Sequence, residues 1–148
     1  MPGWVWRSFH ELSADELYNI FVLRQTVFVV EQNCAYLDAD GVDRRSRHLY
    51  KRDDTGLMVA YLRLVEPGVK YAEPSIGRVI THPSVRRTGL GRELMAEGLR
   101  GAAQYYPGAG VRIGAQKWAE RFYRSLGFES VGHEFIEDDI PHVEMLHP

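Results

Sequence analysis

The chain has 148 residues, 45% of them hydrophobic, and 18 Lys and Arg against 20 Asp and Glu give a formal charge of −2. That length and apolar content fit one domain with a real core, residues 1–148, and exclude a disordered chain, while the near-balanced charge argues against nucleic acid as the main partner. Cys34 is the only cysteine, so no intrachain disulfide and no cysteine-built metal site can form, and the lack of a signal-like stretch or of any run of ~20 apolar residues points to a soluble, cytoplasmic protein with no membrane partner.

Trp4 to Phe9 alternates large apolar and polar residues and reads as a first strand. Ser13-Ala14-Asp15-Glu16 has the capping-box pattern, in which serine and glutamate satisfy each other's backbone N–H groups. Leu17, Ile20, Phe21 and Arg24 follow at helical spacing, and the β-branched and aromatic run Val27–Val30 ends that helix. Residues 31–47 are polar and read as a long loop with at most one helical turn; such loops are often functional. Residues 48–52 and 57–65 form two strands joined by Asp53-Asp54-Thr55-Gly56, which is hairpin chemistry.

Residues 66–74 form another loop, and residues 75–81 a strand stopped by Pro83. A helix over residues 89–104 buries Leu90, Leu94, Met95, Leu99 and Ala102. Residues 111–115 form a short strand and residues 116–126 a second helix with Trp118, Phe122 and Leu126 stacked, stopped by Gly127. Residues 128–135 and 142–146 are the last two strands. The strand–helix–strand runs predict parallel pairing and the hairpins antiparallel pairing, so the expected architecture is α/β, a mixed sheet with helices on both faces.

The chemistry concentrates in Val79-Ile80-Thr81-His82-Pro83-Ser84-Val85-Arg86-Arg87-Thr88-Gly89-Leu90-Gly91-Arg92, where a strand turns through two glycines directly into a helix. Glycines let a ligand approach the backbone, and the first helical N–H groups lack intrahelical partners and face outward. With the helix dipole and Arg86, Arg87 and Arg92 they make an anion site of the kind a pyrophosphate needs. The plain alternative is a tight turn with solvated arginines. The pattern is neither a P-loop nor a complete dinucleotide fingerprint.

Arg86-Arg87-Thr88-Gly89-Leu90-Gly91 resembles the Arg/Gln-x-x-Gly-x-Gly/Ala acetyl-CoA signature of the GNAT acetyltransferases. Residues 116–128, with Ala119, Phe122, Tyr123, Gly127 and Phe128, resemble the family's second landmark at the expected separation. Residues 28–34, Gly41-Val42-Asp43 and Ile140-Pro141-His142 look like its ElaA-type branch. The resemblance spans essentially the whole chain. It implies a GNAT-like splayed sheet that binds acetyl-CoA as cosubstrate, without a metal, and passes the acetyl group to a primary amine by direct attack in a ternary complex. Val79, Ile80 and Thr81 would pair with the pantetheine arm, the amides of Arg87 to Arg92, with Thr88, Gly89, Leu90 and Gly91 between them, would hold the pyrophosphate, and Arg86 would orient the loop. Gln116 stands where many relatives carry a pantetheine-binding Asn, and Phe122 lies beside Tyr123, which matches the family's general acid.

A phenol can protonate the departing thiolate while strand amides stabilise the oxyanion. Without the resemblance, Tyr123 reads as a core aromatic. The general base is open among Glu31, His48 and His142, each with a structural alternative: a loop cap, a strand-surface residue and a packed histidine. Asp38, Asp40 and Asp43, with Glu134, Glu137, Asp138 and Asp139, either draw a cationic amine or form a solvated acidic face. Cys34 reads as a small apolar filler. A non-catalytic CoA or acyl-CoA-binding module is the competing function, and a nucleotide binder using the same turn a third. The acceptor is a small-molecule or peptide amine, and exposed strand edges allow a monomer or a homodimer.

Overall fold

The computed structural model describes residues 3–148. Its elements follow in the order β1 (Val5–Ser8), α1 (Ala14–Arg24), β2 (Ser46–Arg52), β3 (Met58–Val65), β4 (Ser75–Thr81), α2 (Leu90–Tyr105), β5 (Val111–Gln116), α3 (Glu120–Ser125), β6 (Glu129–Glu137) and β7 (Ile140–His147). The predicted capping box starts α1: Glu16 N–H donates to Ser13 Oγ at 3.0 Å and Ser13 N–H donates to Glu16 Oε1 at 2.8 Å. The helical path does not stop near Val27. It widens into a π-helical segment over Gln25–Glu31, where Gln32 N–H reaches Val27 O and Cys34 N–H reaches Val29 O, five residues back in each case. Such wide turns are rare and often sit at functional sites.

Strands β1 to β4 form one antiparallel sheet in sequence order, and β5, β7 and β6 form a second. The parallel pairing expected from the strand–helix–strand runs is reduced to one contact. Arg112 N–H donates to Pro74 O at 3.0 Å where β4 and β5 begin, and no ladder continues between them among the described residues. The two strands then diverge, and the fold is the expected splayed α/β architecture.

Every residue of β3 is buried. Leu62 and Leu64 join the cluster that contains Leu94 and Met95 of α2, whereas Tyr61 joins Ile20 and Leu23 of α1. Successive side chains of a strand point to opposite faces, so the helices cover both sides of the first sheet. No helix among the described residues is long and apolar enough to cross a membrane.

Two predicted elements differ in extent. Gln116 is the last residue of β5, and the next helical residues form a tight turn over Lys117–Ala119 before α3. Trp118 is therefore 77% exposed instead of stacked on Phe122 and Leu126. Gly127, with φ +97°, provides the predicted left-handed stop.

Candidate active site

The divergence of β4 from β5 opens a cleft of about 820 Å³. It runs from the turn before α2 to the loop at the start of β4, where Lys70 and Tyr71 line it. Strand β4 carries a bulge on this wall. Tyr61 pairs with Ile80 and Arg63 with Gly77, so one residue more separates the partners on β4 than on β3. Arg78 and Val79 are left without partners, and Arg78 takes a positive φ of 52°. A bulge of this kind re-aims backbone groups and leaves them free of the ladder.

At the other end Arg87 and Gly89 both have positive φ, 65° and 86°. Alternating hand along the chain turns consecutive N–H groups toward one concavity, an arrangement that suits anions. Glu93 N–H bonds back to Gly89 O at 3.2 Å, so the amides of Leu90, Gly91 and Arg92 have no intrahelical acceptor. The two glycines differ in need. Gly89 requires its left-handed backbone, whereas a Cβ on Gly91 would meet only Thr81 Cγ2, at 3.8 Å. Arg92 donates to Ser125 Oγ at 3.0 Å and lies 5.6 Å over the Phe122 ring, tying the turn to α3. Every signature residue from Arg86 to Arg92 lines the cleft except Thr88, whose hydroxyl donates to Val85 O at 2.5 Å and braces the turn.

Val79, Ile80, Thr81, Gln116, Phe122 and Tyr123 line the same cleft. Ile80 is only 2% exposed, so its contribution there is backbone. The side-chain carbonyl of Gln116 accepts from Trp118 Nε1, which brings the exposed indole to the cleft wall. The Tyr123 ring packs edge-on against Phe122 and Phe128, with centroids 5.4 and 5.7 Å away. Burial pushes its phenol up to about 12, which keeps the proton on at neutral pH.

The three base candidates separate. His48 is fully buried and does not line the cleft. Its Nε2 donates to Asp43 O at 2.9 Å and its Nδ1 accepts from Tyr61 OH at 2.6 Å, while burial lowers its pKa. It is a packed core histidine, not the strand-surface residue of the alternative reading. Glu31 lines the cleft, but Arg86 grips it with two hydrogen bonds of 2.7 Å. Those bonds hold the carboxyl below the usual range and weaken it as a base. His142 also lines the cleft, is 7% exposed and stacks on Phe135 at 5.4 Å. Its Nδ1 lies 2.7 Å from Ile140 O, and a carbonyl only accepts. Nδ1 therefore carries a proton, and Nε2 lies 3.8 Å from Glu137 Oε2.

The acidic loop corrects the expectation in part. Asp38 and Asp43 are buried and Asp40 is exposed, and arginines engage all three, so none is free to draw a cation. Asp43 accepts from Arg24 at 2.6 Å and Arg63 at 3.0 Å, Asp38 from Arg24 at 2.7 Å and Arg78 at 2.8 Å, and Asp40 from Arg63 at 2.7 Å. Burial alone would raise the Asp40 and Asp43 carboxyls, but the guanidinium hydrogen bonds outweigh it and hold both low. Arg24 and Arg63 are 0% and 1% exposed, so this network clamps residues 38–43 onto the sheet beside the cleft. Glu137, Asp138 and Asp139 do remain exposed. Cys34 is half-buried, lines the cleft and donates its S–H to Asp138 O at 3.3 Å, which joins the first half of the chain to the β6–β7 turn.

Arg78 and Lys70 line the cleft without having been expected there, and Trp118, expected in the helix core, lies at the cleft wall. Gly77 inside a strand pattern is a bulge signal that pointed to the first. Lys70 has no local signature.

A family model described as an acetyltransferase (GNAT) domain matches residues 25–147. A UPF0039 protein of Synechocystis is 41% identical over 144 residues, covering 97% of this chain and 94% of that one. Protein ElaA of Escherichia coli is 39% identical over 146 residues, covering 95% and 94%, and its crystal structure matches with a TM-score of 0.92. The crystal structure of an acyl-CoA N-acyltransferase from Pseudomonas aeruginosa matches over 100% of both chains, with 36% identity and a TM-score of 0.94. The chain belongs to the GNAT acetyltransferase family, in its ElaA-like branch.

Proposed function

We propose that residues 1–148 act as one catalytic unit that moves an acetyl group from acetyl-CoA to a primary amine, by direct attack in a ternary complex. The observation that carries this reading is the β4–β5 opening, which joins an N–H-rich, arginine-flanked turn to a protonated phenol in one continuous cleft. Acetyl-CoA supplies an activated acyl group and a thiol leaving group. The free amides of Leu90, Gly91 and Arg92 and the concavity at Arg87 and Gly89 hold its pyrophosphate. The unpaired backbone at Arg78 and Val79 takes the pantetheine arm and the developing oxyanion, with Thr81 and Gln116 alongside.

His142 Nε2 accepts the proton that the acceptor ammonium must lose before it can attack. Tyr123 donates its phenolic proton to the leaving sulfur and regains one from solvent. Glu31 and Arg86 brace each other at the cleft wall, and His48 serves the core.

Incubation with acetyl-CoA and a panel of amines, followed by free-thiol release and the mass of the acetylated amine, tests the proposal. Thiol release that depends on amine, with a product 42 Da heavier by the chemistry of acetylation (about 42), supports it. CoA binding without amine-dependent release refutes it in favour of the binding module. Binding of ATP with no binding of CoA points to the nucleotide-binding reading.

A further inference from the structure

Beyond the β4 bulge, away from the arginine-flanked turn, the cleft meets a recess of about 190 Å³ whose wall includes Tyr36, Lys70, Arg78 and Glu137. Lys70 lines both spaces. Arg24, Arg63 and Arg78 are matched by Asp38, Asp40 and Asp43, three against three. Lys70 has no ion-pair partner among the described residues, although Glu137 and Asp138 line the same recess. A second shortfall lies beside it. The side chain of Arg63 is 1% exposed, yet its Nε–H has no acceptor. A buried donor left without a partner is uncommon and calls for an explanation.

The surroundings of Lys70 work in the same direction. Desolvation by the cleft walls, then the nearby Arg63, with Arg78 adding, lower its pKa against the weaker opposing pull of Glu137. An ammonium held near two guanidiniums gains from an anion, and the protein supplies none at contact. Carboxylates share this space: Glu137 approaches His142 Nε2 at 3.8 Å, and Asp138 follows it. Lys70 and Glu137 thus line both the recess and the cleft, and His142 lines the cleft beside Glu137.

We propose that the acceptor is an amine that also carries a carboxylate, an amino-acid-like molecule whose carboxylate binds Lys70 while its amino group faces Glu137 and His142. This rests on the transferase reading above and names its substrate class. One ammonium without a contact partner matches a monoanion. A phosphate dianion would face Glu137 and Asp138 with one cation to offset it, and the second ammonium of a diamine would meet Lys70 with like charge.

Matched pairs that differ only in the carboxylate test it: L-leucine against 3-methylbutylamine, L-phenylalanine against 2-phenylethylamine, and L-lysine against cadaverine, with glucosamine 6-phosphate as the phosphate arm. Each is titrated calorimetrically into the protein, with and without saturating CoA, and each is assayed for acetyl transfer. At least one carboxylated member binds about tenfold or more tightly than its partner, as a charge-assisted contact warrants. Lys70→Met shrinks that preference to about twofold or less while CoA affinity stays unchanged. Equal affinity within every pair, no binding of any carboxylated member, tighter binding of the sugar phosphate, or equal weakening of both members by Lys70→Met overturns the proposal. A carboxylate preference in binding with no transfer to any amine leaves the carboxylate site at Lys70 standing and sinks the transferase reading instead.

Discussion

Asp43→Ala tests whether the buried ion network anchors the acceptor side of the cleft. The Asp43 carboxylate accepts from Arg24 at 2.6 Å and from Arg63 at 3.0 Å, and both guanidiniums are essentially without solvent contact. Removing one partner of a buried pair costs about 3–5 kcal/mol, because the remaining charge is stranded in a poor solvent. Arg24 keeps Asp38 and Arg63 keeps Asp40, which places the cost near the low end, at about 3 kcal/mol. For a chain of this size each kcal/mol lowers Tm by about 2–4 °C near the upper size class, so the expected fall is about 6–12 °C. Urea unfolding followed by circular dichroism measures it, with the midpoint lowered and the slope m unchanged. A loss below about 1 kcal/mol is what an exposed ion pair would give, and it would refute the reasoning.

Tyr123→Phe removes the proton donor and leaves the ring, so kcat falls by about 10²-fold or more while the KM for acetyl-CoA stays within about twofold, read by steady-state thiol release. His142→Gln lowers kcat by a similar factor of about 10² in the thiol-release assay, whereas His48→Gln acts on thermal stability first. Gly89→Ala has open space for its Cβ but must hold φ near +86°, which costs about 1–2 kcal/mol and weakens CoA binding about tenfold by calorimetry, whereas Gly91→Ala is tolerated. Asp40 and Asp43 have folded pKa values below the ordinary 3.8, so the unfolded chain binds their protons first on acidification. Their stabilisation is complete above that unfolded value and is lost as pH falls below it toward the folded values; urea midpoints that stay flat from pH 5 to about pH 2 would contradict this.

Elements stabilised by their own residues were legible. The Ser13–Glu16 capping box, the stripe Leu90, Leu94 and Met95, and the left-handed Gly127 each declare themselves within a few positions, and the structure places all three as read. The signature turn was legible for the same reason, since Gly89 and the arginines lie within seven residues. Segments fixed by distant partners were not. Residues 38–43 look solvated because Arg24, Arg63 and Arg78, which pin them, lie up to 40 positions away. The burial of His48 depends on a carbonyl in that pinned loop. Parallel pairing of β4 and β5 was inferred from element order, which fixes the direction of neighbouring strands but not whether they stay together.

A crystal structure of the protein with bound CoA tests the central claim most directly. The account predicts the pyrophosphate on the amides of Leu90, Gly91 and Arg92, the pantetheine arm between β4 and β5 beside Val79, and the sulfur near the Tyr123 hydroxyl. A CoA molecule lying outside the β4–β5 opening, or a sulfur remote from Tyr123, would contradict it.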